Sequence, residues 1–191
     1  YDTLYRDIDI KIPAATATDA HRFIPRSIMN QDKGRNSCYD YDYTRPTCLE
    51  HHIRYYQTIT GLDHVIGNVL ADLERRGLMK NTVIIFASDH GLLMGEYGMG
   101  GKALLYDLAS KIPCFIYDPS VPDERQGTSC DELVSSLDLT KTILDYGGVA
   151  APESMEGESL RPLVEGKDVA WRKELFLENL FTGRDTPFQE G

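Results

Sequence analysis

The chain has 191 residues, with 30 acidic against 20 basic side chains for a net charge of −10, and it is 41 % hydrophobic and 26 % charged. That length and balance fit a globular protein of one domain or at most two. An acidic chain without clustered Lys and Arg is a poor match to general nucleic-acid binding, and its longest apolar runs are strand-sized, well short of the roughly 18 residues of a membrane helix. No nucleic-acid or membrane partner is therefore expected.

The opening Tyr1-Asp2-Thr3-Leu4 has no initiator Met and no basic-then-apolar leader, so localisation is not readable from it. Residues 1–45 show little periodicity, hold the polar stretch 30–36 and the aromatic run Tyr39-Asp40-Tyr41-Asp42-Tyr43, and read as an irregular connecting segment. From Pro46 the pattern changes. Leu49, Ile53, Tyr56, Ile59, Ile66, Val69, Leu70 and Leu73 recur at steps of three and four, which predicts a long amphipathic helix stopped near Gly77.

Residues 82–87 are apolar and rich in β-branched side chains, as in a parallel strand covered on both faces. A glycine-rich loop over 88–101 follows, then a short helix over 103–110 and a second buried strand over 114–117 ended by Asp118-Pro119. A helix is predicted over 139–146, closed by Gly147-Gly148, and a third strand over 174–177. Helices alternating with buried strands give an α/β fold with a mostly parallel sheet flanked by helices. No CxxC pair occurs among Cys38, Cys48, Cys114 and Cys130, so free thiols are expected, with Cys38 and Cys48 the pair near enough in sequence for a local bridge.

The segment Ser88-Asp89-His90-Gly91 lies just past the carboxyl end of the first strand, where ligands gather in open α/β sheets. Adjacent carboxylate and imidazole groups suit a divalent cation or acid–base work; an Asp capping the following element is the plainer alternative. The same glycines fail as a phosphate loop, because Glu96 and Ala103 stand where Gly and Ser or Thr are required. The match Gly98-Met99-Gly100-Gly101-Lys102-Ala103 to a dinucleotide fingerprint comes about ten residues too late after its strand. His51, His52 and His64 on the long helix are expected to be solvated or capping. Glu96 and Tyr97 fit either a substrate-lining or a turn-stabilising role.

Taken together, the ordered blocks 54–67, 81–91 (Asn81-Thr82-Val83-Ile84-Ile85-Phe86-Ala87-Ser88-Asp89-His90-Gly91), Gly95-Glu96-Tyr97-Gly98, Lys102, Lys111-Ile112-Pro113, Ser136-Leu137-Asp138-Leu139 and 155–163 resemble the sulfatase family of the alkaline phosphatase superfamily. The resemblance implies a calcium-dependent hydrolase of sulfuric esters. In it Asp89 and His90 supply part of the calcium (Ca2+) shell, and Lys102 is the catalytic, substrate-binding contact to the sulfate and leaving-group oxygens. The family nucleophile is a formylglycine made in a Cys/Ser-x-Pro-x-Arg motif, and that motif is absent from this sequence. Residues 46–191 are accordingly expected to be the C-terminal portion of a sulfatase-like α/β domain, a fragment inactive by itself. The implied partner is a sulfated small molecule or carbohydrate, and the implied location is periplasmic, extracellular or lysosomal. Two alternatives remain: a phosphoryl hydrolase or transferase of the same superfamily, and a noncatalytic sulfatase-like binding protein.

Overall fold

The structure, a computed structural model, describes residues 1–13, 45–102, 104–179 and 189–190. The expectations for residues 14–44, including Cys38 and the aromatic run at 39–43, lie outside the described residues. The chain divides into two compact units, one of residues 1–72, 90–112 and 177–191, the other of residues 73–89 and 113–176.

The first unit is organised by helix α1, Arg45–Arg75. The helix ends as its sequence predicts: Gly77 takes a φ of +70° and its amide bonds to the Glu74 carbonyl, a conformation that closes a helix at little cost only for glycine. Its amino-terminal half is buried at Cys48, His52, Ile53 and Gln57. Residues 1–13, which hold no helix or strand, run along this half: the Gln57 amide donates to the Asp2 and Leu4 carbonyls, Tyr5 Oη meets Thr60 Oγ1 at 2.6 Å, and Arg6 pairs with Glu50. The predicted apolar stripe continues through Ile59 and Val69, both exposed. The stripe is helical as predicted; among the described residues Ile53 is buried, and Leu49, Ile66, Leu70 and Leu73 are half-buried.

His52 departs from expectation. It is buried, not solvated, and its Nδ1–H donates to the Cys48 carbonyl at 2.8 Å. The Cys48 thiol in turn donates to the Met94 carbonyl at 3.2 Å, and Cys48, Cys114 and Cys130 are free thiols.

The rest of the first unit is a tight hairpin, β2 (Leu93–Met94) against β3 (Gly100–Gly101), followed by helix α2, Asp107–Ser110. The helix begins four residues later than predicted, because Tyr106 is extended and the preceding Leu104 turns inward to form a small core with Leu93 and Met99.

In the second unit, β1 (Ile84–Ala87) pairs with β4 (Cys114–Tyr117), with Ile84 opposite Tyr117 and Phe86 stacked on Phe115 at 4.9 Å. The pair is antiparallel, and so is every strand pair among the described residues, in place of the predicted parallel pairing. A parallel pair needs a crossover of a dozen or more residues, usually helical. The connection here, residues 88–113, is long enough for one, but it holds a hairpin and a four-residue helix in place of a crossover helix. The two strands are also less covered than predicted: β1 is half-buried and Phe115 is 54 % exposed. An apolar run predicts burial, yet a two-stranded ribbon has no neighbouring strands to supply it.

Helix α3 (Ser136–Tyr146) starts three residues before its predicted position, because Ser135 and Asp138 form a capping box. It is followed by α4, Arg161–Val164. The strand predicted at 174–177 does not form. Leu175, Phe176 and Leu177 are exposed, and the pairing falls instead between β5 (Glu178–Asn179) and β6 (Gln189–Glu190).

Candidate active site

The hairpin and its flanks carry His90 and Lys102. Gly91 holds the entry to the hairpin: its amide donates to the Ala109 carbonyl at 2.8 Å, and a Cβ at this position would lie 2.0 Å from the Leu108 carbonyl oxygen. The glycine after His90 is thus required by close backbone approach to α2. At the turn, Glu96 accepts from the Met94 amide at 2.6 Å, and the Gly95 and Met99 amides bond to the Met99 and Glu96 carbonyls at 2.9 Å each. Glu96 therefore takes the turn-stabilising role of the two that its sequence context allows. Beneath it, Met99 and Leu93 are almost wholly buried.

This rigid frame sets the state of His90. Its Nδ1–H donates to the Gly91 carbonyl at 2.8 Å, which leaves the lone pair on Nε2. The exposed ammonium of Lys102 donates to that Nε2. The structure thus brings together two of the three residues expected at the site. Asp89, the residue before His90, is exposed at the end of the segment leaving β1 and falls in the second compact unit.

As a calcium site the donor set fits in part. Calcium takes six to eight oxygen ligands, so one carboxylate and one imidazole nitrogen are a fraction of a shell. Among the described residues, no group of three His, Cys, Asp or Glu side chains gathers to complete one.

The second unit contains two buried carboxylates that the sequence does not mark as functional. Asp138, wholly buried, accepts from both terminal nitrogens of Arg172 at 2.6 and 2.7 Å, from the Ser135 amide at 2.6 Å and from the Glu158 amide at 2.8 Å. Burial pushes its carboxyl up, but the Arg172 guanidinium and the two amides outweigh that and hold it below the usual range. Asp118 behaves similarly. Burial works against its charge, and donation from the Ser120 hydroxyl and amide and from Tyr146, with Arg161 nearby, brings it below its ordinary value. Tyr146 is pushed up, first by burial and then by its bond to Asp118. Both sites are anchors: Asp138 ties α3 to residues 158 and 172, and Asp118 ties the end of β4 to α3. The spacing Ser135-x-x-Asp138 is the available signal for the first. No helix among the described residues is long and apolar enough to cross a membrane.

The chain is similar to known proteins. An arylsulfatase from Clostridium perfringens is 37 % identical over 133 residues, which cover 69 % of this chain and 27 % of that protein. An N-acetylglucosamine-6-O-sulfatase from Bacteroides thetaiotaomicron is 34 % identical over 125 residues, covering 64 % of this chain and 22 % of that protein. The solved structure of a phosphonate monoester hydrolase from Silicibacter pomeroyi superposes on 93 % of this chain and 36 % of its own, with a TM-score of 0.78 and 29 % identity. The chain thus spans about a quarter of the length of the curated relatives it matches. The family model "Sulfatase" matches residues 14–149, which takes in α1, β1, the His90–Lys102 hairpin, β4 and α3, and the chain belongs to the sulfatase family.

Proposed function

We propose that this chain is a segment of a sulfuric ester hydrolase, supplying the anion-contacting side of the active site through Lys102 and part of a calcium shell through Asp89 and His90. The observation that carries the proposal is the hydrogen bond between the Lys102 ammonium and His90 Nε2. A flexible lysine is thereby positioned at a built loop, and the Nε2 lone pair that accepts its hydrogen is the one a cation would take in its place. Bound calcium would supply charge neutralisation at the ester oxygens. The chain's own part is separate from that. Lys102 donates charge-assisted hydrogen bonds to a sulfate or leaving-group oxygen, and the Gly91–Ala109 bond fixes where it can do so. Formylglycine, the expected nucleophile, must come from a Cys/Ser-x-Pro-x-Arg motif, which these 191 residues do not contain.

The substrate class we propose is a sulfated carbohydrate or related small ester, in line with the sulfatases to which the chain is similar. The proposed location is periplasmic, extracellular or lysosomal. A larger, mostly parallel sheet of the alkaline phosphatase type, in which the antiparallel, half-covered β1–β4 pair gains neighbours, belongs to the same reading. The phosphonate hydrolase likeness supports a second reading, hydrolysis of a phosphoryl or phosphonate ester on the same geometry.

The test is hydrolysis of matched sulfate and phosphonate esters by a protein carrying this segment together with the nucleophile motif. Lys102→Ala should lower kcat/KM by about 100-fold or more with an unchanged melting temperature, the scale of losing one preorganised electrostatic contact. The 191-residue chain by itself should show no turnover. Unchanged kinetics in Lys102→Ala would remove Lys102 from the site, and a preference for the phosphonate ester would select the second reading.

A further inference from the structure

One residue of the hairpin is held in a way the turn does not require. Tyr97 has φ 55° and ψ 22°, the left-handed region, where a bulky side chain is disfavoured. Glycines stand at positions 95 and 98 on either side, yet this strained position is a tyrosine. The frame around it is well determined: Glu96 is bonded to the Met94 amide, and Gly95 and Met99 are bonded to Met99 and Glu96. The result is an outward ring. Tyr97 is 43 % exposed and lies against Tyr106, ring centroids 5.8 Å apart at 30°, and Tyr106 packs in turn on the buried cluster of Leu93, Met99 and Leu104. Core, Tyr106 and Tyr97 form a stack that ends in an aromatic surface facing solvent.

That surface sits at the tip of the hairpin whose base carries Lys102. Leu93 pairs with Gly101 and Met94 with Gly100, so the tip stands about three residues, or on the order of 10 Å, beyond Lys102 along the strand direction. A six-membered ring is about half that span. We propose that Tyr97, braced by Tyr106, is a specificity-determining residue that packs against the face of a substrate ring, the C–H face of a pyranose or the plane of an aryl group, one ring away from the anionic group held at Lys102. The inference rests on the anion role of Lys102 given above and adds what the rest of the substrate must be. Local strain maintained at a solvent-facing side chain is a common mark of a binding surface, and tyrosine offers a large contact area for little lost rotamer freedom.

The experiment titrates the full chain, followed by NMR, with inorganic sulfate, a sulfated disaccharide and 4-nitrophenyl sulfate. It compares Tyr97→Gly, Tyr97→Asn and Tyr97→Phe with the unsubstituted chain. The Gly and Asn variants should bind the ring-bearing probes on the order of 3- to 10-fold more weakly, the worth of one ring stack, and inorganic sulfate equally well. Tyr97→Phe should restore binding. The Gly variant should melt no lower than the parent, because it releases the left-handed strain. Whichever probe loses more identifies the ring as sugar or aryl. Equal affinity for the ring-bearing probes in all variants, or an equal weakening toward all three probes with a lowered melting temperature, would overturn the proposal. Lys102→Ala separates the two readings. Loss of ring selectivity in Tyr97→Gly with sulfate binding untouched by Lys102→Ala would uphold Tyr97 and reject the anion site, and the converse would do the reverse.

Discussion

Gly91→Ala is the sharpest perturbation the fold offers. The added Cβ would stand 2.0 Å from the Leu108 carbonyl oxygen, 2.9 Å from its carbon and 3.2 Å from the Ala109 Cα, all of them backbone atoms that cannot rotate away. Relief needs a shift of about 1 Å, which would stretch the 2.8 Å bond from the Gly91 amide to the Ala109 carbonyl out of range. Losing that bond costs about 1 kcal/mol and overpacking about 1–3 kcal/mol, so the expected loss is about 2–4 kcal/mol. The backbone of Gly91 lies outside the left-handed region, so the penalty is steric alone. Urea unfolding measures it, and the 15N shifts of the His90 ring report whether the Nδ1–H bond to Gly91 and the Lys102 contact persist. Gly61→Ala and Gly67→Ala in α1 are the controls: nothing lies within 4 Å of a Cβ at either, and alanine there should stabilise by roughly 0.5–1 kcal/mol. A Gly91→Ala loss under about 1 kcal/mol with His90 unchanged would refute the claim that this close approach builds the site.

Asp138→Asn should cost about 3 kcal/mol in urea, because it leaves the Arg172 guanidinium facing an amide and keeps one oxygen for two backbone donors; a double-mutant cycle with Arg172→Met showing no coupling would refute the anchor role. Asp118 and Asp138 are both held below their ordinary 3.8. A depressed carboxylate contributes stability that is present above its unfolded value and lost as pH falls through its folded one. The urea midpoint should therefore fall as pH is lowered below about 4, and Asp138→Asn should flatten that slope. A raised phenol runs the other way: the Tyr146 contribution should hold below pH 10 and fade as pH rises through its folded value, which Tyr146→Phe would abolish.

Much of this organisation is legible in the sequence because it depends on local rules. The period of apolar residues marks α1, Gly77 marks its end, and the β-branched run at 82–87 marks β1. What periodicity does not carry is partnership. The same apolar run suits a covered parallel strand and an antiparallel ribbon open on one face, and which one forms depends on chain outside the run. The stripe of α1 likewise shows a helix without saying which of its residues are covered. At the site, Asp89, His90 and Lys102 stand out by spacing and family resemblance, whereas the reason for Gly91, the backbone of Leu108 in α2's approach, is a tertiary contact. His52 escapes the sequence because its burial is set by what covers the helix, whereas its bond to the Cys48 carbonyl four residues back is local and would form on an exposed face as well.

The charge of this chain bears on the proposed role of the hairpin. At −10 it would repel the sulfate ester proposed as substrate, so attraction to it would have to be local. The bond from the Lys102 ammonium to His90 Nε2 is one contact that holds the cation at the hairpin. That arrangement depends on the imidazole proton being on Nδ1, which the Gly91 carbonyl secures, and the Gly91 carbonyl is in place because its residue has no side chain to push it off α2. A single glycine thus links the close packing of two backbones to the orientation of a ring and the placement of a cation. The dependence therefore runs from Gly91 back to His90 and from His90 to Lys102.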